Sequence, residues 1–281
     1  MLKYWVRSKN PDLHIIPTDT LYLTIDKKAV KQSGMMMAAE SIPDKMVISL
    51  AGKNALYKND LMMLEMLAQC NWKRPLYVAL TVGEENYMNL GDNFVQEGLV
   101  NRITPFTTNK PGAKNFDTEK AYHNIMTRFK FGNLKQKGLY VDETTMRMCY
   151  THRLLPQTAL ALIAEHKDKK AIDILKKADV EIPYYNVPVD YMSGGLDMAR
   201  GWLLTGQKAK GEEYLKKVWT NATQYLNYYL SLNADRFAQA QSDCIRQIMI
   251  MQSAAEVAGM VSPKLEAQYA KQLNALYTLY H

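Results

Sequence analysis

From about Thr118 onward the apolar residues of this chain recur at the helical period, and that change of rhythm separates two halves that cannot share one architecture. Ala121, Ile125 and Phe129, with Tyr122 and Met126 between them, make one amphipathic helix that Gly132-Asn133 stops. Asp142 or Thr144 can start the next helix, which runs towards His166. Pro156 should kink or divide it, because the ring removes a donor and crowds the preceding turn. Asp168 opens a further helix bearing Ala171, Ile172, Leu175 and Ala178, closed before Pro183.

An offset of 40 residues aligns Ala159 with Ala199, Leu162 with Trp202, Ile163 with Leu203, His166 with Gly206, Ala171 with Gly211 and Leu175 with Leu215. This is a repeat of paired helices, in which small residues let helices approach and larger ones fill the layers between them. The pattern resembles tetratricopeptide-like repeats, with Ile182 to Pro188 lengthening the period. Phe237, Cys244, Ile248, Met251 and Ala255 predict one more helix, and Leu265, Tyr269, Leu273, Leu276 and Tyr280 a last one, entered through Ser262-Pro263. A terminal pair must cap the stack, so its outer face should be polar.

The first half reads as mixed α/β. Thr20 to Asp26 alternates Leu21, Leu23 and Ile25 with Thr20, Tyr22 and Thr24, the period of a half-buried strand, and Met46 to Leu50 is a second β-prone run. Asn59 or Asp60 can cap a helix from Leu61 to Cys70. Leu76 to Val82 is apolar nearly throughout and predicts a central strand buried on both faces, beginning after Pro75. Leu99 to Ile103 is another strand, ended by Pro105. Thr107 to Phe116, with Pro111 and Gly112, reads as a linker. The expected class is therefore α+β: a mixed α/β domain with a small sheet over residues 1–116, then an all-α helical-repeat domain over 117–281.

Composition excludes several classes of function. At 281 residues, with 47% apolar and 22% charged residues, the balance is globular. No run approaches the ~18 apolar residues that cross a bilayer, and Met1 to Asn10 lacks the apolar core of a secretory signal. Cys70, Cys149 and Cys244 lie far apart and the histidines are scattered, so no metal site and no cofactor are expected, and the cysteines read as buried small hydrophobes. Met35-Met36-Met37 reads as loop or core filler.

The net charge of +7 is uneven: residues 1–140 carry 19 Lys and Arg against 13 Asp and Glu, the remainder 16 against 15. Between Lys110 and Lys137 seven basic residues (Lys110, Lys114, Lys120, Arg128, Lys130, Lys135 and Lys137) face only Asp117 and Glu119. That is either a solvated face or a surface for anionic lipid or a phosphate-bearing donor. No basic-aromatic motif of a nucleic-acid-binding fold accompanies it.

The tract Asn71-Trp72-Lys73-Arg74-Pro75-Leu76-Tyr77-Val78-Ala79 is more specific, with Gly83-Glu84-Glu85-Asn86-Tyr87 and Glu97-Gly98-Leu99-Val100-Asn101-Arg102 after it. Together with Asn59-Asp60-Leu61-Met62, Arg128 to Asn133, Tyr140 to Glu143 and Arg147, it resembles the extracytoplasmic C-terminal region of a bacterial family. Its members are multi-spanning membrane proteins of unknown function, related to protein O-mannosyltransferases. The resemblance covers roughly residues 15 to 205. It implies membrane helices of the GT-C type elsewhere in the same polypeptide, a polyprenyl-phosphate sugar donor, and a place on the periplasmic face of the inner membrane. Taken without the resemblance, the chain reads as cytoplasmic. In the GT-C architecture the catalytic carboxylate lies beside the membrane helices, so these residues alone are expected to carry no transferase activity. Their implied role is to recognise the protein acceptor or to dock a partner.

The site candidates follow from the loop after the Leu76 strand. Glu84, Glu85, Asn86 and Tyr87, with Glu97 and Arg102, are candidate binding residues, because exposed polar groups at the end of a strand are where ligands bind. Trp72, Arg74, Pro75 and Tyr77 read as structural, Arg74 by pairing with Glu97 or Glu85, while Asp142 and Arg147 cap and brace the first repeat helix. Two other functions stay open: a free-standing helical scaffold whose concave face binds protein, and a soluble carbohydrate-active enzyme. The enzyme would use Glu84, Glu85, Asp92 or Glu97 as acid and base.

Overall fold

The alternation of Leu21 and Leu23 with polar neighbours produces a strand, β1 (Thr20–Thr24), which pairs antiparallel with β2 (Lys45–Ser49) so that Leu21 faces Ile48 and Leu23 faces Met46. In this computed structural model residues 19–35, 42–53, 55–107, 115–148, 152–190 and 193–280 are described. Met36, Met37, Cys149 and the 108–114 part of the expected linker, with Lys110 and Lys114, lie outside them. The chain divides into two compact units, Met1–Asp117 and Thr118–His281.

In the first unit α1 (Lys27–Gln32) is capped by Asp26, whose side chain accepts from the Ala29 N–H at 3.0 Å. The longer α2 (Lys58–Cys70) begins three residues before the expected Leu61. Asp60 lies inside the helix, and its Oδ2 accepts from the Tyr57 N–H at 2.9 Å, satisfying a first-turn donor from within. The helix ends on two left-handed residues, Asn71 at φ 34° and Trp72 at φ 69°, which turn the indole into the core, where it is 5% exposed.

A second sheet has the order β3-β5-β4, built from β3 (Tyr77–Ala79), β4 (Phe94–Gln96) and β5 (Val100–Ile103), all antiparallel. The central strand is therefore β5. The expectation of a central strand over Leu76 to Val82 is corrected: β3 has three residues and lies at an edge, with Tyr77 and Ala79 exposed. Only Leu76 and Val78 pack on the core. The chain leaves the sheet at once, through a turn in which Val82 N–H donates to the Ala79 carbonyl at 3.0 Å.

The second unit is helical throughout its regular elements. In chain order these are α3 (Thr118–Thr127), α4 (Glu143–Met148), α5 (Leu154–Ala164), α6 (Asp168–Glu181), α7 (Gly195–Leu204), α8 (Lys208–Leu230), α9 (Ala234–Gly259) and α10 (Pro263–Tyr280). Asp142 caps α4, accepting from the Thr145 N–H at 2.6 Å; the side chain of Arg147 lies outside the described residues. Pro156 sits in the first turn of α5, where a missing N–H is harmless, and the expected long helix is divided there.

The pairs α5–α6 and α7–α8 recur at the offset seen in the sequence. Ala159 and Ala199, Ala171 and Leu175 with Leu215 are all fully buried, and Leu162 and Trp202 lie beside them in one continuous core. Even the turns agree. His166 at φ 59° and Gly206 at φ 78° occupy equivalent positions, and the following N–H groups return to the carbonyls of Leu162 at 2.9 Å and Trp202 at 2.8 Å. Beyond this the helices lengthen, α9 packing on α8 and on α10. The Ser262 hydroxyl caps α10 as expected, accepting from the Leu265 N–H at 3.2 Å.

Candidate functional site

The loop from Gly83 to Asn93 is held by its own backbone before any side chain is considered. Two short 3-10 turns, Glu84–Asn86 and Gly91–Asn93, shape it. Between them Met88 and Asn89 adopt left-handed conformations, at φ 53° and 57°. Met88 and Leu90 are pegged into the core at 1% and 0% exposure. Asn89 reaches the opposite way, its Nδ2 donating to the carbonyls of Ser49 at 2.9 Å and Ala51 at 3.1 Å, which ties the loop to the end of β2. Asparagine suits this position because it tolerates the left-handed region and can bond to backbone. Asn93 anchors the far end, donating to the Phe106 carbonyl at 2.9 Å.

These constraints leave a groove of about 600 Å³ between the loop and the β4–β5 hairpin, lined by Glu84, Tyr87, Asn89, Asp92, Gln96 and Asn101, with Gly91, Phe94 and Asn115 completing it. Tyr87 meets Phe94 edge-on, with ring centroids 4.9 Å apart, so the aromatic part of the wall is fixed. Gln96 is positioned by backbone bonds on both sides, its N–H donating to the Asn115 carbonyl at 2.8 Å and its carbonyl accepting from the Asp117 N–H at 2.9 Å. The lining is mostly amides and carboxylates, groups that can exchange hydrogen bonds with a polar ligand in both directions.

Of the residues chosen from sequence, Glu84 and Tyr87 line this groove. Glu85 and Asn86 do not: Asn86 Nδ2 donates to Glu85 Oε1 at 3.0 Å, and Asn86 Oδ1 accepts from Asn59 at 3.4 Å, towards α2. Glu97 and Arg102 are brought together, but inside the unit. Arg102 Nη1 lies 3.4 Å from Glu97 Oε1, both side chains 4% exposed. Tyr77 Oη donates to Glu97 Oε2 at 3.1 Å, and Arg102 Nη2 donates to the Ser33 carbonyl at 3.1 Å. The expected pairing of Arg74 with Glu97 or Glu85 is thus corrected: Arg74 and Pro75 are exposed, and Arg102 holds Glu97 from the neighbouring position across the hairpin. This buried pair braces the hairpin and α1 rather than facing the groove.

Asn89, Gln96 and Asn115 were not singled out from sequence. A run containing Asn89, Asp92 and Asn93 around Gly91 signals turns, but not which side chains converge. Among the described residues no group of three or more His, Cys, Asp or Glu side chains is placed to hold a metal ion.

The helical unit has a groove of its own, of about 730 Å³, between α8 and α10. Its floor is Trp219 stacked on Tyr269 at 3.9 Å, with the indole N–H donating to Gln272 Oε1 at 3.0 Å. Burial and a coulombic contribution from Glu212 raise the Tyr269 hydroxyl above the ordinary phenol value.

Residues 2–120 match the family described as TMEM260-associated domain 2, which links this part of the chain to TMEM260-like membrane proteins. No curated protein and no solved structure matches the chain. Among the described residues no helix is long and apolar enough to cross a membrane.

Proposed function

We propose that this chain is a non-catalytic accessory region of a TMEM260-like, O-mannosyltransferase-related membrane protein, and that the groove beside Glu84 and Tyr87 recognises the polypeptide acceptor. The observation that carries the reading is that the matched residues, 2–120, coincide with the unit that holds the polar groove. An extended acceptor presents unpaired backbone N–H and carbonyl groups; Gln96, Asn101 and Asn115 carry amides that can both donate to and accept from them, while Asn89, whose two N–H groups are held by Ser49 and Ala51, keeps its Oδ1 to accept. The O-mannosyltransferase-like context and the periplasmic side belong to the same proposal and rest on the resemblance carried by the Asn71–Ala79 tract and the motifs around it.

The membrane context is tested by translating the native gene past both ends of these residues. Several apolar spans of ~20 residues in the same frame are expected; a gene confined to these residues would overturn the accessory role.

A second reading draws on Glu84 and Asp92, two carboxylates lining one groove, which is the minimum for acid–base work on a glycosidic bond. Glu97 cannot serve it, being paired with Arg102. Hydrolysis of a panel of oligosaccharides that disappears in both Glu84→Gln and Asp92→Asn would establish this reading against the first, which expects no turnover from either parent or variant.

A further inference from the structure

The turn after α3 and the turn after α6 are stapled into one surface. Asn186 Nδ2 donates to the carbonyls of Leu134 at 2.6 Å and Gln136 at 2.7 Å, and the Tyr185 hydroxyl donates to the Lys135 carbonyl at 2.7 Å. From beneath, Phe129 and Phe131 pack on the helical core. Arg128, Lys130 and Lys137 are left exposed, and among the described residues no carboxylate lies within ion-pair distance of any of the three. Lys135 is also exposed, at 56%, beside Glu181 at 3.1 Å. Lys217 contributes from α8, its Nζ 3.7 Å from the centre of the Tyr184 ring while it bonds Glu213 at 2.6 Å.

Aromatic rings accompany the charge. Tyr184 is 59% exposed and Tyr185 46%, and Tyr140, just past Lys137, is 87% exposed, the most of any large apolar or aromatic side chain described. Beyond the contact of Tyr184 with Lys217 and with Tyr185, rings held out in water gain nothing from burial. At a membrane interface the ring enters the apolar boundary while the hydroxyl stays among head groups, and neighbouring lysines meet the anionic charge.

A small soluble anion is a poorer fit. Its site needs donors converging on one point, whereas Arg128, Lys130, Lys135 and Lys137 are strung along ten residues of one turn, and the rings would have no part in holding it. We infer that the surface made by residues 128–140 and 184–185 docks on an anionic lipid surface. The inference stands on this patch alone and is independent of what the groove in the other unit binds.

The test uses the whole chain and sedimentation with vesicles of phosphatidylcholine, with and without phosphatidylglycerol. Binding to the anionic vesicles alone is expected, weakening as salt rises. Changing Arg128, Lys130 and Lys137 together to Gln should lower the partition coefficient by about a hundredfold, roughly fivefold for each charge. Tyr140→Ala with Tyr184→Ala should lower it further at unchanged helix content, because neither ring is in a core. Equal sedimentation of parent and triple variant, equal binding to neutral vesicles, or displacement by millimolar inorganic phosphate would each overturn the inference, the last by making the patch a site for soluble phosphate.

Discussion

The helical unit and the N-terminal unit meet the same demand, that buried backbone groups be paired, in different ways, and the candidate site follows from the difference. In the helical unit the ladders satisfy the backbone internally, so the sequence is left to specify packing. Ala159, Ala171 and Ala199 are fully buried, and a Cβ on Gly195 would come within 2.7 Å of the Asp190 carbonyl oxygen. In the N-terminal unit the strands are three to five residues long, and side chains secure the connections: Asn71 to Asp26, Asn89 to Ser49 and Ala51, Asn93 to Phe106, Arg102 to Ser33. A unit built that way holds loops in fixed shapes, and fixed polar loops are where recognition is placed.

Breaking the polar bracing should have the largest effect. Arg102→Met leaves the Glu97 carboxylate buried without its cation and should cost about 3–5 kcal/mol, while Glu97→Leu with Arg102→Met recovers most of it. Hydrogen exchange over β3, β4 and β5 reads the loss directly; a cost below about 1 kcal/mol would show that the pair braces nothing.

Leu175→Ala probes the opposite strategy. Leu175 is fully buried against Gly201, so a cavity costing about 2–5 kcal/mol is expected, read as faster exchange in α6 and α7. If the layers collapse around it, the cost falls to the low end and the packing is more tolerant than the burial implies.

His152 sharpens the contrast through pH. Burial alone pushes its pKa down from 6.5 to about 4, and among the described residues its Nδ1 finds no hydrogen-bond partner. The folded state therefore favours the neutral ring. Its contribution is full above pH 6.5 and is lost as pH falls from 6.5 towards 4, by at most about 3 kcal/mol. Denaturation midpoints of the parent across that window should slope more steeply than those of His152→Gln; parallel curves would refute the assignment.

Gly195→Ala should cost about 1–3 kcal/mol, because Val218 and the Asp190 carbonyl must both give way. Asn89→Ala should cost least in stability, about 1–2 kcal/mol for two side-chain bonds and a left-handed backbone. It should nevertheless abolish groove binding, where Gly195→Ala leaves it unchanged. Thermal melts paired with peptide titrations separate the two.

The same contrast explains what could be read from the sequence. Helical packing repeats locally, so the 40-residue offset put Ala159 with Ala199 and Leu175 with Leu215, and the structure buries all four. Strand β1 is legible from alternation, and β2 and β5 from short β-prone runs. Leu76 to Val82 was misread because apolar content was weighed above alternation: Leu76 and Val78 face in, Tyr77 and Ala79 out. Arg74 was chosen for Glu97 by residue type, whereas the hairpin register sets Arg102 beside it. The groove was half visible, through Glu84 and Tyr87. Its remaining wall joins Asn89, Gln96, Asn101 and Asn115, which only the fold brings together.

The most direct test of the central claim is hydrogen exchange on the whole chain with and without an unfolded, Ser- and Thr-rich peptide. Acceptor recognition by the N-terminal unit predicts protection confined to residues 84–96 and 100–103, lost in Asn89→Ala. Protection along α8 and α10 instead, or none at saturating peptide, would contradict it, the first outcome by making the helical unit the scaffold that binds.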